Sequence, residues 1–443
     1  MEVIEGEGER LGLSPRSSPI APRERRSESA ERTVLSPRPS LAGLRVLAIA
    51  PTSFFRDYGC HVRIVEETAA LASHGIESTI ATYPFGRDLP GVRIRRAPKV
   101  PGREHIDPGS SLRKLSLDIA LAARALAVAW SERPALIHGH LHEGALIGWS
   151  VARRQSIPIV FDFQGSLTSE MQDHGFLSSR GPAYRFFRAL EEWIVHRADA
   201  VITSTRNGAD VLVREFGIAA RRITVVADAV NVHTFRPLRE IAGEDGSMAR
   251  TERLRRNLGI PESVPVIVYL GLLAEYQGIT HLLRAAKLLD ERGIDAHFLI
   301  MGFPGEHRYR AVAEALGLGD RVTFTGAIPY ELAPVYLSLG DIAVSPKLSE
   351  TEGNGKLLNY IAMGLPTVAF DTAVSREILG DLGVYAPRGD WTALALEIEG
   401  LIRDPAAAEE RGRALRAQAV AEHSWESSIE SLLDVYSRLL GAG

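Results

Sequence analysis

Late in the chain, Pro346-Lys347-Leu348-Ser349-Glu350-Thr351-Glu352-Gly353-Asn354-Gly355-Lys356 leads into Leu357-Leu358-Asn359-Tyr360-Ile361-Ala362-Met363-Gly364-Leu365-Pro366. It reads as a strand end, an acidic glycine-bearing loop, a helix and a Gly-x-Pro stop. Asn354 suits the helix N-cap, which leaves the amides of Gly355 and Lys356 free at the positive end of the helix dipole, where an anion is favoured. Phosphate would fit such a place. Lys356 and Asn359 are three apart and share a helix face, setting a cation beside a neutral donor and acceptor, as a diphosphate next to a ribose requires. The same residues also permit a plainer reading, with Glu350 and Glu352 balancing the dipole and Lys356 solvated.

A second candidate lies far upstream, where Ile137-His138-Gly139-His140-Leu141-His142-Glu143 follows a short apolar run. Alternation would bring all three imidazoles to one face only if the strand ran past its expected end, and no carboxylate–histidine pair at helical spacing accompanies them. No metal site is assigned. Hydrogen bonding at a cleft suits His140, and a structural core role suits His138. Asp162-Phe163-Gln164-Gly165-Ser166, with Glu170 shortly after, also lies at a strand end; it either lines a cleft or is ordinary loop polarity.

Parallel α/β architecture must position these groups. From Leu44 to Val226, strands at 44–50, 76–83, 135–139, 158–163, 200–203 and 223–226 alternate with helices at 62–74, 110–130, 145–155, 183–197 and 206–216. Such alternation implies parallel strands with right-handed crossovers, whose ligands sit beyond the carboxyl ends of the strands. The pattern lapses after Pro237 and resumes at Val264. Helices at 280–292, 308–316, 331–337 and 355–363 then alternate with strands at 266–271, 296–301, 322–325, 342–345 and 367–370. The expected organisation is a Pro-, Ser- and Arg-rich disordered tail over 1–43, a first Rossmann-like domain over 44–237, a linker over 238–263, a second Rossmann-like domain over 264–423 and a final amphipathic helix over 424–443.

Composition sets the outer bounds. The 443 residues carry 24% charged and 45% hydrophobic side chains with one cysteine, Cys60, which excludes an intrachain disulfide and a thiolate metal cluster and fits a reducing, cytoplasmic setting. No apolar run is long enough to span a bilayer. Net charge is −4, but residues 44–237 hold 24 Lys and Arg against 19 acids, while residues 238–443 hold 20 against 29. The basic stretch Arg93, Arg95, Arg96, Lys99 and Arg103 makes peripheral contact with an anionic membrane face one expectation and a solvated edge the other. Basic clustering falls short of a nucleic-acid footprint.

These segments, in this order, resemble the family 4 glycosyltransferases, retaining enzymes of the GT-B fold, across about residues 44–440. Tyr58-Gly59-Cys60-His61-Val62 is similar to the family's glycine-rich first loop, with one glycine where two are common. Leu136-Ile137-His138-Gly139-His140 resembles its His-x-His strand, and the donor-contacting histidine maps to His140. Arg197-Ala198-Asp199-Ala200-Val201-Ile202 and Val225 to Pro237 match two further stretches, the latter with Asp228-Ala229 in place of Asn-Gly.

Departures fall where chemistry matters. The family's second glutamate is here Asn359 and its first aligns with Thr351, so Glu350 or Glu352 stands as the substitute. Gly271-Leu272-Leu273-Ala274-Glu275-Tyr276-Gln277-Gly278 has Leu272 and Gln277 where the two diphosphate-holding cations usually sit, and Lys356, with Lys347, is expected to supply that charge.

The resemblance implies metal-independent transfer, with retention by front-face attack, of a sugar from a UDP- or GDP-sugar co-substrate to a hydroxyl acceptor, and no other cofactor. The catalytic residues implied are His140, Glu350 and Glu352. Donor binding is assigned to Gly59, Gly271, Gln277, Gly353, Asn354, Gly355, Lys356 and Asn359. Two alternatives stand beside it: a nucleotide-sugar epimerase on the same architecture, and a sugar-nucleotide-binding protein without turnover. A dehydrogenase is disfavoured because no strand precedes a full Gly-x-Gly-x-x-Gly turn.

Overall fold

The computed structural model describes residues 41–54, 59–100, 112–173, 177–178, 181–244, 246–349 and 353–441. The expected tail, Tyr58, Arg103, Glu350, Thr351 and Glu352 lie outside the described residues, apart from the tail's last three.

Two wholly parallel sheets form the architecture. Strands β1 (Arg45–Ala50), β2 (Glu77–Thr82), β3 (Arg93–Arg96), β4 (Leu136–His140), β5 (Ile159–Phe163), β6 (Ala200–Thr203) and β7 (Ile223–Val225) form the first, in the order 3-2-1-4-5-6-7. Strands β8 (Val266–Leu270), β9 (His297–Met301), β10 (Val322–Gly326), β11 (Ile342–Ser345), β12 (Thr367–Phe370) and β13 (Val384–Ala386) form the second, in the order 10-9-8-11-12-13. Central strands β4, β5, β9, β11 and β12 are buried throughout, as the continuous apolar runs of two-sided parallel sheets require. Strand order reverses between β1 and β4 in one sheet and between β8 and β11 in the other, so each sheet has one switch-point crevice.

The chain passes between the lobes twice. Val230, on the first crossing, donates its N–H to His423 O (2.9 Å) and bridges Ser424 on the second. The helix Trp425–Gly441 then returns to the first sheet, burying Ile429, Leu432, Leu433 and Tyr436 against Val46, Leu71, Val160 and Ile202.

Several elements differ from the sequence expectation. The helix after β4 starts at Leu141 rather than Ala145, because Leu141 takes a positive φ of 60° and turns the chain at once. Within 238–263 run the helices Leu238–Ile241 and Ser247–Asn257, the second resting Leu254 on the second lobe's core. Beyond Phe370 come Ala373–Leu379, β13, Trp391–Arg403 and Pro405–Glu422. Among the described residues no helix is long and apolar enough to cross a membrane.

Candidate active site

At the second sheet's switch point, three residues singled out in the sequence meet. Lys356 opens the helix Lys356–Ala362, and its Nζ donates to Gln277 Oε1 (2.6 Å) and Tyr269 Oη (3.0 Å) while sitting 4.4 Å from the Tyr269 ring centroid. Gly271 closes over it: a Cβ there would lie 2.9 Å from Lys356 Cε and 3.0 Å from Nζ. The ammonium is therefore anchored rather than freely solvated, and a neutral amide stands where a second cation would compete with it. Gly278, at φ +79°, lets the loop after β8 reach β11, since a Cβ there would fall 1.8 Å from Pro346 O.

Asn354 corrects the capping expectation. Its side chain, 3% exposed, turns back to Ser345 Oγ (3.0 Å from Nδ2), and Gly355 occupies the cap position without a side-chain bond. A tertiary partner at the end of β11 has outcompeted the local amide. Lys347 is also drawn in, its buried Nζ donating to Gly353 O (2.6 Å). Asn359 is half-buried one turn beyond Lys356. Gly353 faces the first lobe, where a Cβ would lie 3.4 Å from Asp228 Oδ2 and 4.0 Å from Ser204 Oγ.

The first lobe contributes a buried charged network at its own switch point. His140, 1% exposed at the end of β4, donates from Nδ1 to Asp162 Oδ2 on β5 (3.0 Å). Arg63, from the helix Gly59–Ser73, donates from Nε to the same carboxylate (3.3 Å), from an η nitrogen to Asp228 Oδ1 (2.6 Å) and from another to Val226 O (3.2 Å). Burial pushes the Asp162 carboxyl up, but Arg63 and the His140 bond overcome that and hold it well below the usual carboxylate range. Burial keeps His138 neutral, well below the ordinary histidine value.

His138 and His140 share one face of β4 and stack with ring centroids 4.3 Å apart; His142 does not join them, lying in the following helix beside Phe161 and Phe163. Glu67 approaches His138 Nδ1 at 3.2 Å, so Glu67, His138 and His140 offer ligand atoms within 4.8 Å of one another. Stacked rings point their in-plane lone pairs side by side, however, and Arg63 lies 4.0 Å from Glu67. The hydrogen bond at His138 Nδ1 goes to Tyr436 Oη (2.8 Å), so the three side chains do not form a convergent ligand set.

A small cleft opens past the ends of β5 and β6, lined by Gln164, Ser166, Ser169, Ser204, Asn207 and Gly353 among others. Neither Lys356 nor His140 lines it. Glu191, fully buried, accepts from Leu167 N (2.8 Å) and Thr168 Oγ1 (2.7 Å) and so fixes the loop that forms one wall.

Residues 58–229 match the family described as glycosyl transferase 4-like domain, and residues 250–418 match glycosyl transferases group 1. The 2-deoxystreptamine glucosyltransferase of Streptomyces kanamyceticus is 30% identical over 396 residues, spanning 86% of this chain and 99% of that one. The chain belongs to the group 1, family 4-like glycosyltransferases.

This glycosyltransferase, dependent on a nucleotide sugar, has the GT-B fold. Sucrose-phosphate synthase from Thermosynechococcus elongatus superposes with a TM-score of 0.74 at 21% identity, covering 90% of this chain and 100% of that one. The Anabaena protein HepE, solved with UDP and glucose, gives 0.70 at 15% identity, covering 89% and 100%. Sequence reasoning missed Arg63, Glu67, Tyr269 and Ser204, which the structure places in or beside this candidate site. One signal was available: Arg63, Glu67 and the buried Leu71 repeat at i, i+4 and i+8, which puts two charges on the core-facing stripe of an amphipathic helix.

Proposed function

We propose that this glycosyltransferase moves a hexose from a UDP- or GDP-sugar to a hydroxyl of a polar acceptor with retention of anomeric configuration. The Lys356 ammonium, with the amides of Gly353 to Lys356, holds the departing diphosphate; Asn359 takes the ribose hydroxyls. Glu350 or Glu352 contacts the donor sugar, and His140 reaches that sugar from the other lobe. Fixed charges and dipoles aimed at the leaving diphosphate and the oxocarbenium-like centre act without reorganisation at the moment of reaction. Gly271 lets the loop after β8 lie close against the Lys356 side chain, and Gly59, at the start of the first lobe's first helix, is assigned to the donor's other flank.

The observation that carries this reading is the convergence of Gly271, Gln277 and Lys356 at one switch point, with Gly353 set against Asp228 and Ser204 of the opposite lobe. HepE's complex with UDP and glucose favours UDP-glucose as the first donor to try. The hydroxyl and amide lining of the cleft, together with a relative acting on 2-deoxystreptamine, favours a hydroxylated ring as acceptor. Calorimetric titration across UDP-, GDP-, ADP- and dTDP-sugars identifies the donor. Lys356→Ala, with its melting temperature monitored, should weaken that donor's binding at least about tenfold, in line with loss of a charge-assisted contact; unchanged affinity removes the diphosphate site.

Peripheral membrane contact belongs to the same proposal in a modified form. Arg93, Arg95 and Arg96 of β3 are already paired with Glu77 (2.9 Å), Glu132 (3.0 Å) and Asp88 (2.7 Å), which leaves little net charge for lipid. The neighbouring helix Leu112–Glu132 instead exposes Leu115 (59%), Ile119 (65%) and Trp130 (67%), a row that suits the headgroup boundary. Flotation with anionic liposomes should recover the protein, and serine at all three positions should abolish recovery. Failure of the unaltered chain to co-migrate ends this part of the reading.

A further inference from the structure

The network behind His140 holds more than is needed to bury one charge. Asp162 Oδ2 accepts from His140 Nδ1 (3.0 Å), from Arg63 Nε (3.3 Å) and from Gln164 Nε2 (2.7 Å), so three donors from three segments fix one carboxylate that is wholly buried. Among the described residues the other ring nitrogen of His140, Nε2, has no hydrogen-bond partner. A carboxylate can only accept, so Nδ1 must carry the proton; in the neutral ring the lone pair is then at Nε2.

We propose that Asp162, anchored by Arg63, is a positioning residue that fixes His140 as the Nδ1–H tautomer and presents Nε2 as an acceptor to a substrate hydroxyl. Arg63 does this from the centre of the molecule. Its second arm reaches Asp228, whose other oxygen faces Gly353, so the guanidinium spans from the imidazole to the edge of the donor loop. The groups facing His140 are Asp162 on β5, Glu67 and Arg63 on the helix Gly59–Ser73, and His138 beside it on β4. Arg63 compensates the carboxylates, which lets Asp162 stay ionised at full burial. With the opposite tautomer the Nδ1 lone pair would face the Asp162 carboxylate, and Nε2 would become a donor, reversing the direction of its bond to the sugar hydroxyl.

The inference rests on His140 meeting the donor sugar, and the measurements separate the two. Chain labelled with nitrogen-15 at histidine reports tautomers directly, with the His140 signals assigned by their disappearance in His140→Ala. The unaltered enzyme should show a protonated Nδ1 and an unprotonated Nε2. In Asp162→Asn the side-chain amide can donate as well as accept, so a mixture of tautomers should appear. The turnover number should fall about tenfold or more while donor KM stays within about twofold, since a lost orientation is felt more in the transition state than in ground-state binding. A protonated Nε2 in the unaltered enzyme overturns the inference even if Asp162→Asn fails to fold. So does Asp162→Asn with unchanged tautomer and turnover, and in that case an inactive His140→Ala leaves the role of His140 standing. Full activity in His140→Ala overturns that role, and the positioning role with it.

Discussion

At the scale of single residues, Gly278 shows how closely two loops must approach for the donor half to exist. Its φ of +79° is a left-handed conformation that side chains resist, and the space for a Cβ is already taken by Pro346 O. Gly278→Ala should therefore cost on the order of 3 kcal/mol or more in a denaturant melt and raise donor KM, because backbone has to move; a cost below about 1 kcal/mol would mean that the contact relaxes freely. Lys356 was legible beforehand because its chemistry and helix position mark it, and Gly271 because its loop resembles the family's. Arg63 was less so. Its partners lie 99 and 165 positions away, a separation that no local pattern encodes. Asn354 misled because its own sequence neighbours suit a cap, whereas Ser345 nine residues earlier offers a better, buried partner.

Among elements, the buried strands were the most legible, since two-sided burial leaves an uninterrupted apolar run that few other structures tolerate. Strands β6, β11 and β12 have the bounds that their sequences suggest. Strand β3 was invisible because Arg-Ile-Arg-Arg is an edge strand with half-exposed side chains, and the row of arginines that suggested lipid is largely spent on ion pairs. The helix Ser247–Asn257 was hidden for a related reason: among eleven residues none is buried, so amphipathic periodicity is faint. The helix after β4 starts early because Leu141 accepts a left-handed turn, which is what places His140 at the last position of the strand.

For the whole molecule, the joint between lobes centres on Glu66. Tyr330 of the second lobe donates to Oε1 (2.8 Å), and Trp425, at the start of the returning helix, donates to Oε2 (2.6 Å). Burial pushes this carboxyl up to about 7, against the lowering effect of Trp425, Tyr330 and the Asn231 backbone. The folded state thus binds more protons than the unfolded one between the ordinary glutamate value and about 7, so stability falls as pH rises through that window and levels off above it. Glu67, also pushed up to about 7 by burial, contributes in the same sense. Glu66→Gln mimics the protonated acid. Its melting temperature should drop less between about pH 5 and about pH 8 than that of the unaltered chain, and at the upper pH should match or exceed it; equal drops in both would place the titration elsewhere.

Sequence alone determined the class of fold, the two alternating series and the family, and it pointed to the loop before Lys356 as a candidate site, because periodicity, strand-end loops and motif order are local properties. It did not determine which groups would face one another. The anchoring of Lys356 by Gln277, the charge link from His140 through Asp162 and Arg63 to Asp228, and the joint at Glu66 all arise from strand order and lobe contact. Burial then sets the strength of each, since the same ions in water would scarcely feel one another.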